Sequence, residues 1–169
     1  MPCTIRPLQE TDIPILDTWF GRETDYRRHP DYWHKLIGLH AKGERTVVVA
    51  EKDGTAVGYC TLKYVSEYPP LRDAHIPEIN DLAVIPPARK QGVARSIIEY
   101  LEQVARERGD TKIGICVGLY ADYGQAQRLY AKMNYIPDGQ GAFYDNAPCI
   151  PGETYRLDDD LIIGFTKEL

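Results

Sequence analysis

The sequence predicts one α/β or α+β domain, and three observations carry that expectation. Segments with strand character and segments with helical spacing alternate along the chain, with no linker of domain scale between them. The length of 169 residues suits a single domain at about 100–200 residues each, so residues 1–169 are read as one unit. Composition is that of an ordinary globular protein, with 43% hydrophobic and 27% charged residues. A chain of this size buries roughly 70% of its unfolded surface, so it needs neither disulfide nor metal to hold a core.

Taken in order, Cys3–Arg6 reads as a first strand. Thr11 or Asp12 caps a helix running to about Trp19, with Pro14 in its first turn. Pro30–Asp31 opens a second helix with Trp33, Leu36, Ile37 and His40 on one side, and Gly43 ends it. Thr46–Glu51 is β-branched and apolar, Asp53–Gly54 is a hairpin turn signal, and Ala56–Val65 is the returning strand. Ser66–Pro77, with three prolines, is expected to be loop, and Glu78–Ile85 the next strand. From Arg89 to Arg108, Val93, Ile97, Leu101, Val104 and Ala105 fall at helical spacing, and Gly109 supplies the stop. Lys112–Val117 is an apolar strand. A shorter helix from about Tyr123 carries Ala126, Leu129, Tyr130 and Met133 at i, i+3, i+4 and i+7. Pro137, Gly139 and Gly141 are expected to break the chain before two late strands, around Gly141–Asn146 and Leu161–Lys167.

Several function classes are disfavoured. Lys plus Arg is 20 against 25 Asp plus Glu, a formal net charge of −5. Nucleic-acid binding needs a basic face, so no nucleic-acid partner is expected. The N-terminus MPCTIRPLQETDIPIL lacks a basic region followed by an apolar run, and no apolar stretch approaches the ~20 residues of a membrane span. Cys3, Cys60, Cys116 and Cys149 are far apart and form no CxxC pair; they are read as free buried thiols of a cytoplasmic protein. His29, His34, His40 and His75 lack metal spacing, so no metal is expected.

The informative segment is Pro86-Pro87-Ala88-Arg89-Lys90-Gln91-Gly92-Val93-Ala94, between a strand and the start of the long helix. The first N–H groups of a helix lack internal partners and sit at the positive end of its dipole, so an anion such as pyrophosphate binds well there. Gly92 lets backbone approach a ligand, and Arg89, Lys90 and Arg95 add positive charge. An ordinary first helical turn with solvated basic residues would look the same locally. No GxxxxGK[ST] and no GxGxxG stands in the sequence, so a P-loop and a dinucleotide fingerprint are unsupported.

With these residues in place, the chain resembles the GNAT superfamily of acyl-CoA-dependent N-acetyltransferases. Its phosphate motif, [R/Q]-x-x-G-x-[G/A], is matched by Arg89-Lys90-Gln91-Gly92-Val93-Ala94 after the strand Glu78–Ile85. A second motif, A-x-x-L-Y-x-K-x-G-[F/Y], is matched one strand later by Ala126-Gln127-Arg128-Leu129-Tyr130-Ala131-Lys132-Met133-Asn134-Tyr135. Asn134 stands for the usual glycine, and asparagine tolerates left-handed backbone. The resemblance is strong from about Glu78 to Tyr135. It implies a central mixed, mostly antiparallel sheet of about six or seven strands, splayed at its two central parallel strands and flanked by about four helices.

The activity it implies is transfer of an acetyl group from acetyl-CoA to a primary amine of a small molecule or peptide, directly, in a ternary complex. Positioning supplies most of the rate, and an amine near pKa ~10 must lose a proton. Glu78 is the candidate base, through water; Asn80, two residues on, shares its strand face and could orient that water. A surface carboxylate at a strand start is the alternative for Glu78. Tyr130 is the candidate acid to the departing thiolate, with packing on the helix stripe as its alternative or companion role. Within Leu82-Ala83-Val84, the backbone of Leu82 and Val84 would pair with the pantetheine arm, aided by a bulge near Val84–Ile85. Amides from Gln91 through Gly92, Val93 and Ala94 to Arg95 would hold the pyrophosphate. Tyr123 occupies the place of a family asparagine that contacts the pantetheine, with Asp122 or Gln125 as substitutes.

Acceptor identity is not written in the sequence. Tyr26, Tyr32, Trp33, Tyr68, His75, Tyr120 and Tyr144 are aromatic candidates for its pocket. Asp158-Asp159-Asp160 would suit a cationic substrate, or is a solvated turn. Acceptor specificity must come from the chain's own loops or from a second copy in a homodimer. The rival reading is a catalytically silent acyl-CoA-binding sensor of the same fold.

Overall fold

The computed structural model describes residues 3–21 and 31–169. Eight strands and five α-helices follow in the order β1 (Thr4–Pro7), α1 (Ile13–Phe20), α2 (Tyr32–Ala41), β2 (Arg45–Lys52), β3 (Thr55–Lys63), α3 (Pro69–Asp73), β4 (Glu78–Val84), α4 (Val93–Arg108), β5 (Lys112–Gly118), α5 (Gly124–Lys132), β6 (Ile136–Tyr144), β7 (Ala147–Pro148) and β8 (Leu161–Glu168). One mixed sheet has the order β1-β2-β3-β4-β5-β8-β6-β7. Among the described residues, β4 and β5 pair in parallel, and β1–β2, β2–β3, β5–β8, β6–β7 and β6–β8 pair antiparallel. The expected class is therefore observed, with one strand and one helix more than expected. His29 and Tyr26 lie outside the described residues.

The chain resolves into two compact units, Met1–Lys63 with Asn80–Leu101 and Tyr64–Ile79 with Glu102–Leu169. In the first, β2 and β3 form the predicted hairpin. Asp53 and Gly54 both have positive φ (51° and 74°), as a two-residue turn matching strand twist requires. Tyr59, fully buried on β3, receives Phe20 of α1 and Trp33 of α2 edge-on, at 5.3 and 4.9 Å between ring centroids. The aromatic quadrupole favours that arrangement over face-to-face stacking. Ahead of α1, Asp12 does not cap the helix as expected. Its carboxylate takes both terminal nitrogens of Arg6 (2.7 and 2.8 Å) and the Gln9 N–H (3.0 Å), while Arg6 Nε reaches Glu51 (2.7 Å).

The second unit pairs β5 with β8 along their length and closes on β6. Tyr68, Leu71 and Phe143 form a buried cluster against Ile76, Cys116 and Ile162. Three sequence expectations fail here for local reasons. Pro69 and Pro70 begin a short helix, α3, because the first helical positions have no use for an N–H. The breakers Pro137, Gly139 and Gly141 lie inside β6, where the register shifts between Pro137 and Ala142 and both glycines have positive φ (80° and 79°). They make an irregular strand, not its end. Asp145 and Asn146, expected in that strand, form a left-handed turn (φ 48° and 59°) into β7. The cysteines are all free, but only Cys60 is buried.

Asp12 is 4% exposed. Burial alone would raise its pKa; the Arg6 hydrogen bonds and the Gln9 N–H outweigh that and hold it below the ordinary carboxylate value of 3.8. A depressed folded-state pKa stabilises above the unfolded value and loses that contribution as pH falls through the folded one. Asp12→Asn is expected to cost about 2 kcal/mol at neutral pH, with the gap to the parent closing below pH ~3.8. Denaturant melts across pH measure it.

Candidate functional site

Strand β4 lies between β3 and β5. Its parallel ladder with β5 runs through two registered pairs, Glu78↔Gly114 and Ile79↔Ile115. Asp81 then adopts a left-handed backbone (φ 55°), which aspartate tolerates. Its carboxylate accepts from the Tyr32 hydroxyl at 2.5 Å. A strand irregularity thus falls at Asp81. The Asn80 carbonyl accepts from Thr61 Oγ1 and Cys60 Sγ, each at 3.3 Å.

Beyond Asp81 the backbone direction is set by β3. The Ile85 N–H donates to the Val57 carbonyl (2.9 Å), and the Ala83 carbonyl lies 2.9 Å from where a Cβ on Gly58 would sit. Gly58 is therefore glycine because the neighbouring backbone leaves no room. With alternation, the peptide groups of Leu82 and Val84 turn away from β3. One of them is already used, since Arg89 Nε donates to the Val84 carbonyl (2.9 Å).

The cradle follows. Pro86–Ala88 form a 3-10 turn, Arg89 is extended, and Lys90 and Gly92 are both left-handed (φ 61° and 84°). Arg89 to Gly92, expected as the first turn of the long helix, lie ahead of it; α4 begins at Val93. Conformation demands Gly92, since a Cβ there would meet open space. The Ser96 N–H is bonded to the Gly92 carbonyl (3.0 Å), so Val93, Ala94 and Arg95 present first-turn amides of a sixteen-residue helix. Gln91 braces the loop: its Nε2 donates to the Pro87 carbonyl (2.8 Å) and its Oε1 accepts from Lys52 Nζ (2.6 Å). Arg95 lies 3.6 Å from Glu99 on the exposed face.

In the other unit, Glu78 is buried, which removes the surface-carboxylate alternative. Its Oε2 accepts from Ser66 Oγ at 2.6 Å. Tyr130 is also buried, near the end of α5, and the turn after it explains why. Asn134 is left-handed (φ 67°); its N–H bonds the Ala131 carbonyl (3.1 Å), and the Tyr135 N–H bonds the Tyr130 carbonyl (3.0 Å). That is the Schellman pattern, and it sets Tyr135 beside Tyr130 with ring centroids 6.2 Å apart.

The sequence model of the Acetyltransferase (GNAT) family matches residues 11–135. The chain belongs to that family. No curated protein matches it. Among solved structures, an N-acetyltransferase from Staphylococcus aureus Mu50 is similar at TM-score 0.74 and 17% identity, covering 99% of each chain. Ribosomal-protein-alanine N-acetyltransferase from Brucella melitensis follows at 0.73 and 20%, covering 98% of this chain and 99% of its own. The Salmonella typhimurium protein yncA, solved with its cofactor acetyl-CoA, gives 0.71 and 15%, over 99% and 94%.

Within this GNAT chain, Tyr123 is packed through its ring and bonded through its hydroxyl. Its ring lies 2.4 Å from where a Cβ on Gly118 would be, so position 118 must be glycine. Its hydroxyl donates to Asp159 (2.7 Å), and Tyr120 donates to the same carboxylate oxygen (2.5 Å). The Tyr123 phenol is pushed up by burial and by Asp159. That of Tyr120 is pushed up to about 12, chiefly by its hydrogen bond to Asp159. Tyr144 donates to Asp158 (3.1 Å). Asp158 and Asp159 are thus hydrogen-bonded by tyrosine hydroxyls, while the run itself is a turn with Asp160 exposed. Of the other aromatic candidates, Trp33 and Tyr68 are core residues. Lys52 and Ser66, separated in sequence from the residues they hold, were not predicted; no spacing signal marks either. Among the described residues no cluster of His, Cys, Asp and Glu could hold a metal ion, and no helix is long and apolar enough to cross a membrane.

The turn geometry yields a test. Asn134→Gly should leave stability within about 0.5 kcal/mol, whereas Asn134→Val should cost about 1–2 kcal/mol by forcing a β-branched residue left-handed. Urea denaturation of the three proteins measures both.

Proposed function

We propose that residues 1–169 form one acetyltransferase domain moving an acetyl group from acetyl-CoA to a primary amine of a small molecule or peptide. The observation that carries this reading is the loop Arg89–Gly92. Its two left-handed residues deliver an open, Cβ-free approach to the first amides of α4, with Arg89, Lys90, Arg95 and Lys52 nearby in charge or contact. An anionic pyrophosphate fits that donor set. Leu82 and Val84, turned away from β3, suit hydrogen bonding to an extended amide-bearing arm as an added strand would. Ala83 lies between them and packs toward β3. Tyr123 keeps a place beside the pantetheine through its ring, since its hydroxyl serves Asp159.

Acetyl-CoA supplies an already reactive thioester. The protein's work is to hold the two substrates together and move protons. Glu78 takes the amine's proton, through water, and its burial favours a basic carboxylate. Tyr130 gives its hydroxyl proton to the departing thiolate while its ring stays packed beside Tyr135. The amine nitrogen gains the acetyl group, the C–S bond breaks, and coenzyme A leaves as thiol. The Brucella relative acts on an alanine of a ribosomal protein by its name, so N-terminal peptides belong in the acceptor screen beside small amines.

Thiol release from acetyl-CoA with a library of amines and peptides tests the reading. Turnover on at least one acceptor is expected. Binding without turnover on any would favour the acyl-CoA sensor, and no binding at all would overturn both. Tyr130→Phe should lower kcat by about 10–100-fold with acetyl-CoA affinity nearly unchanged. Equal loss of both would assign Tyr130 to packing alone. Gly92→Val should instead raise the dissociation constant for acetyl-CoA, read by calorimetry.

A further inference from the structure

We propose that Ser66 is a positioning residue for the reaction, holding the Glu78 carboxylate ionised and in one orientation. The inference rests on the reading of Glu78 as the base. Ser66 is 2% exposed and Glu78 4%. The 2.6 Å contact from Ser66 Oγ to Glu78 Oε2 is short, as expected of a hydroxyl donating to a carboxylate. The same Oγ accepts the Tyr68 N–H at 3.0 Å. A hydroxyl has one proton to donate. With the peptide N–H on its lone pair, that proton is aimed at Glu78.

Both ends of this contact are anchored. Tyr68 precedes α3, its carbonyl takes the Leu71 and Arg72 N–H groups (3.1 and 3.0 Å), and its ring packs edge-on to Phe143. Glu78 is fixed in register with Gly114 of β5. Other ionisable groups stand on the surrounding elements. Glu67 is an acid beside it, and the Tyr68 hydroxyl is spent on Asp138 of β6 (2.7 Å). Cys116 of β5 packs in the Tyr68 cluster, and Arg72, Asp73 and His75 are exposed. Burial drives a carboxyl toward its neutral, non-basic form; a donor to the charged form opposes that. The serine thus reconciles two demands on Glu78, that it be desolvated enough to be basic and charged enough to accept a proton.

The test is kcat/KM against pH with one fixed amine, for the parent, Ser66→Ala, Ser66→Thr and Glu78→Gln. Glu78→Gln is expected to abolish the acidic limb. Ser66→Ala should move that limb up by about one pH unit, because the charged carboxylate has lost a donor. Its KM for acetyl-CoA should be unchanged, and Ser66→Thr should restore the parent limb. A limb that Glu78→Gln abolishes but Ser66→Ala leaves in place overturns the serine's role and keeps Glu78 as base. A limb and rate untouched by Glu78→Gln overturn both. Thermal melts accompany each variant; should Ser66→Ala not fold, Ser66→Cys, a weaker donor, carries the same comparison.

Discussion

The parallel ladder between β4 and β5 stops after two pairs, and a left-handed Asp81 follows inside the same strand. Much of the site's backbone follows from that division. The residues that remain paired to β5, Glu78 and Ile79, are buried, so the one acid at the strand's start is desolvated. The residues after Asp81 alternate against β3, which commits Ala83 and Ile85 to the sheet and leaves the peptide groups of Leu82 and Val84 facing away. Pro86 forbids further pairing and starts the 3-10 turn that leads to the cradle. A left-handed aspartate inside a strand is unfavourable by itself. The Tyr32 hydroxyl on its carboxylate helps to hold it, which ties α2 to the geometry of β4.

What the sequence revealed and what it hid divide along one line. Features fixed by a few consecutive residues were legible. Asp53–Gly54 demanded a hairpin, Gly109 a helix stop (φ 90°), and Asn134 a left-handed turn in place of glycine. Gly92 and its basic neighbours could be read as an anion cradle because the first turn of a helix has a local chemistry. The start of that helix was misplaced by four residues, since Arg89 to Gly92 carry helix-compatible side chains and only the backbone shows two left-handed residues among them. Features fixed by partners distant in the chain were hidden. Nothing around Ser66 announces Glu78, nor does Lys52 announce Gln91 across 39 positions. Pro137, Gly139 and Gly141 signal interruption equally well as a strand end or as an irregular strand, and the pairing with β8 decided it.

Charge shows the same division between chain and place. The formal net charge of −5 describes the whole sequence, yet its parts are used in opposite ways. Lys52, Arg89, Lys90 and Arg95 belong to one unit, where Lys52 is bonded to Gln91 of the cradle. In the other unit, Asp158, Asp159 and Asp160 stand close enough that Asp160 is raised above the ordinary carboxylate value, by partial burial first and then by Asp158, Asp145 and Asp159. Arg156 offsets this only from an exposed position, 3.6 Å from Asp158. Asp158 and Asp159 are held by phenol hydroxyls, which donate hydrogen bonds without neutralising charge. Sequence composition alone could not separate a solvated turn from an acidic site. The tyrosine hydroxyls do so for two of the three: they hold Asp158 and Asp159 in fixed positions, and leave Asp160 exposed.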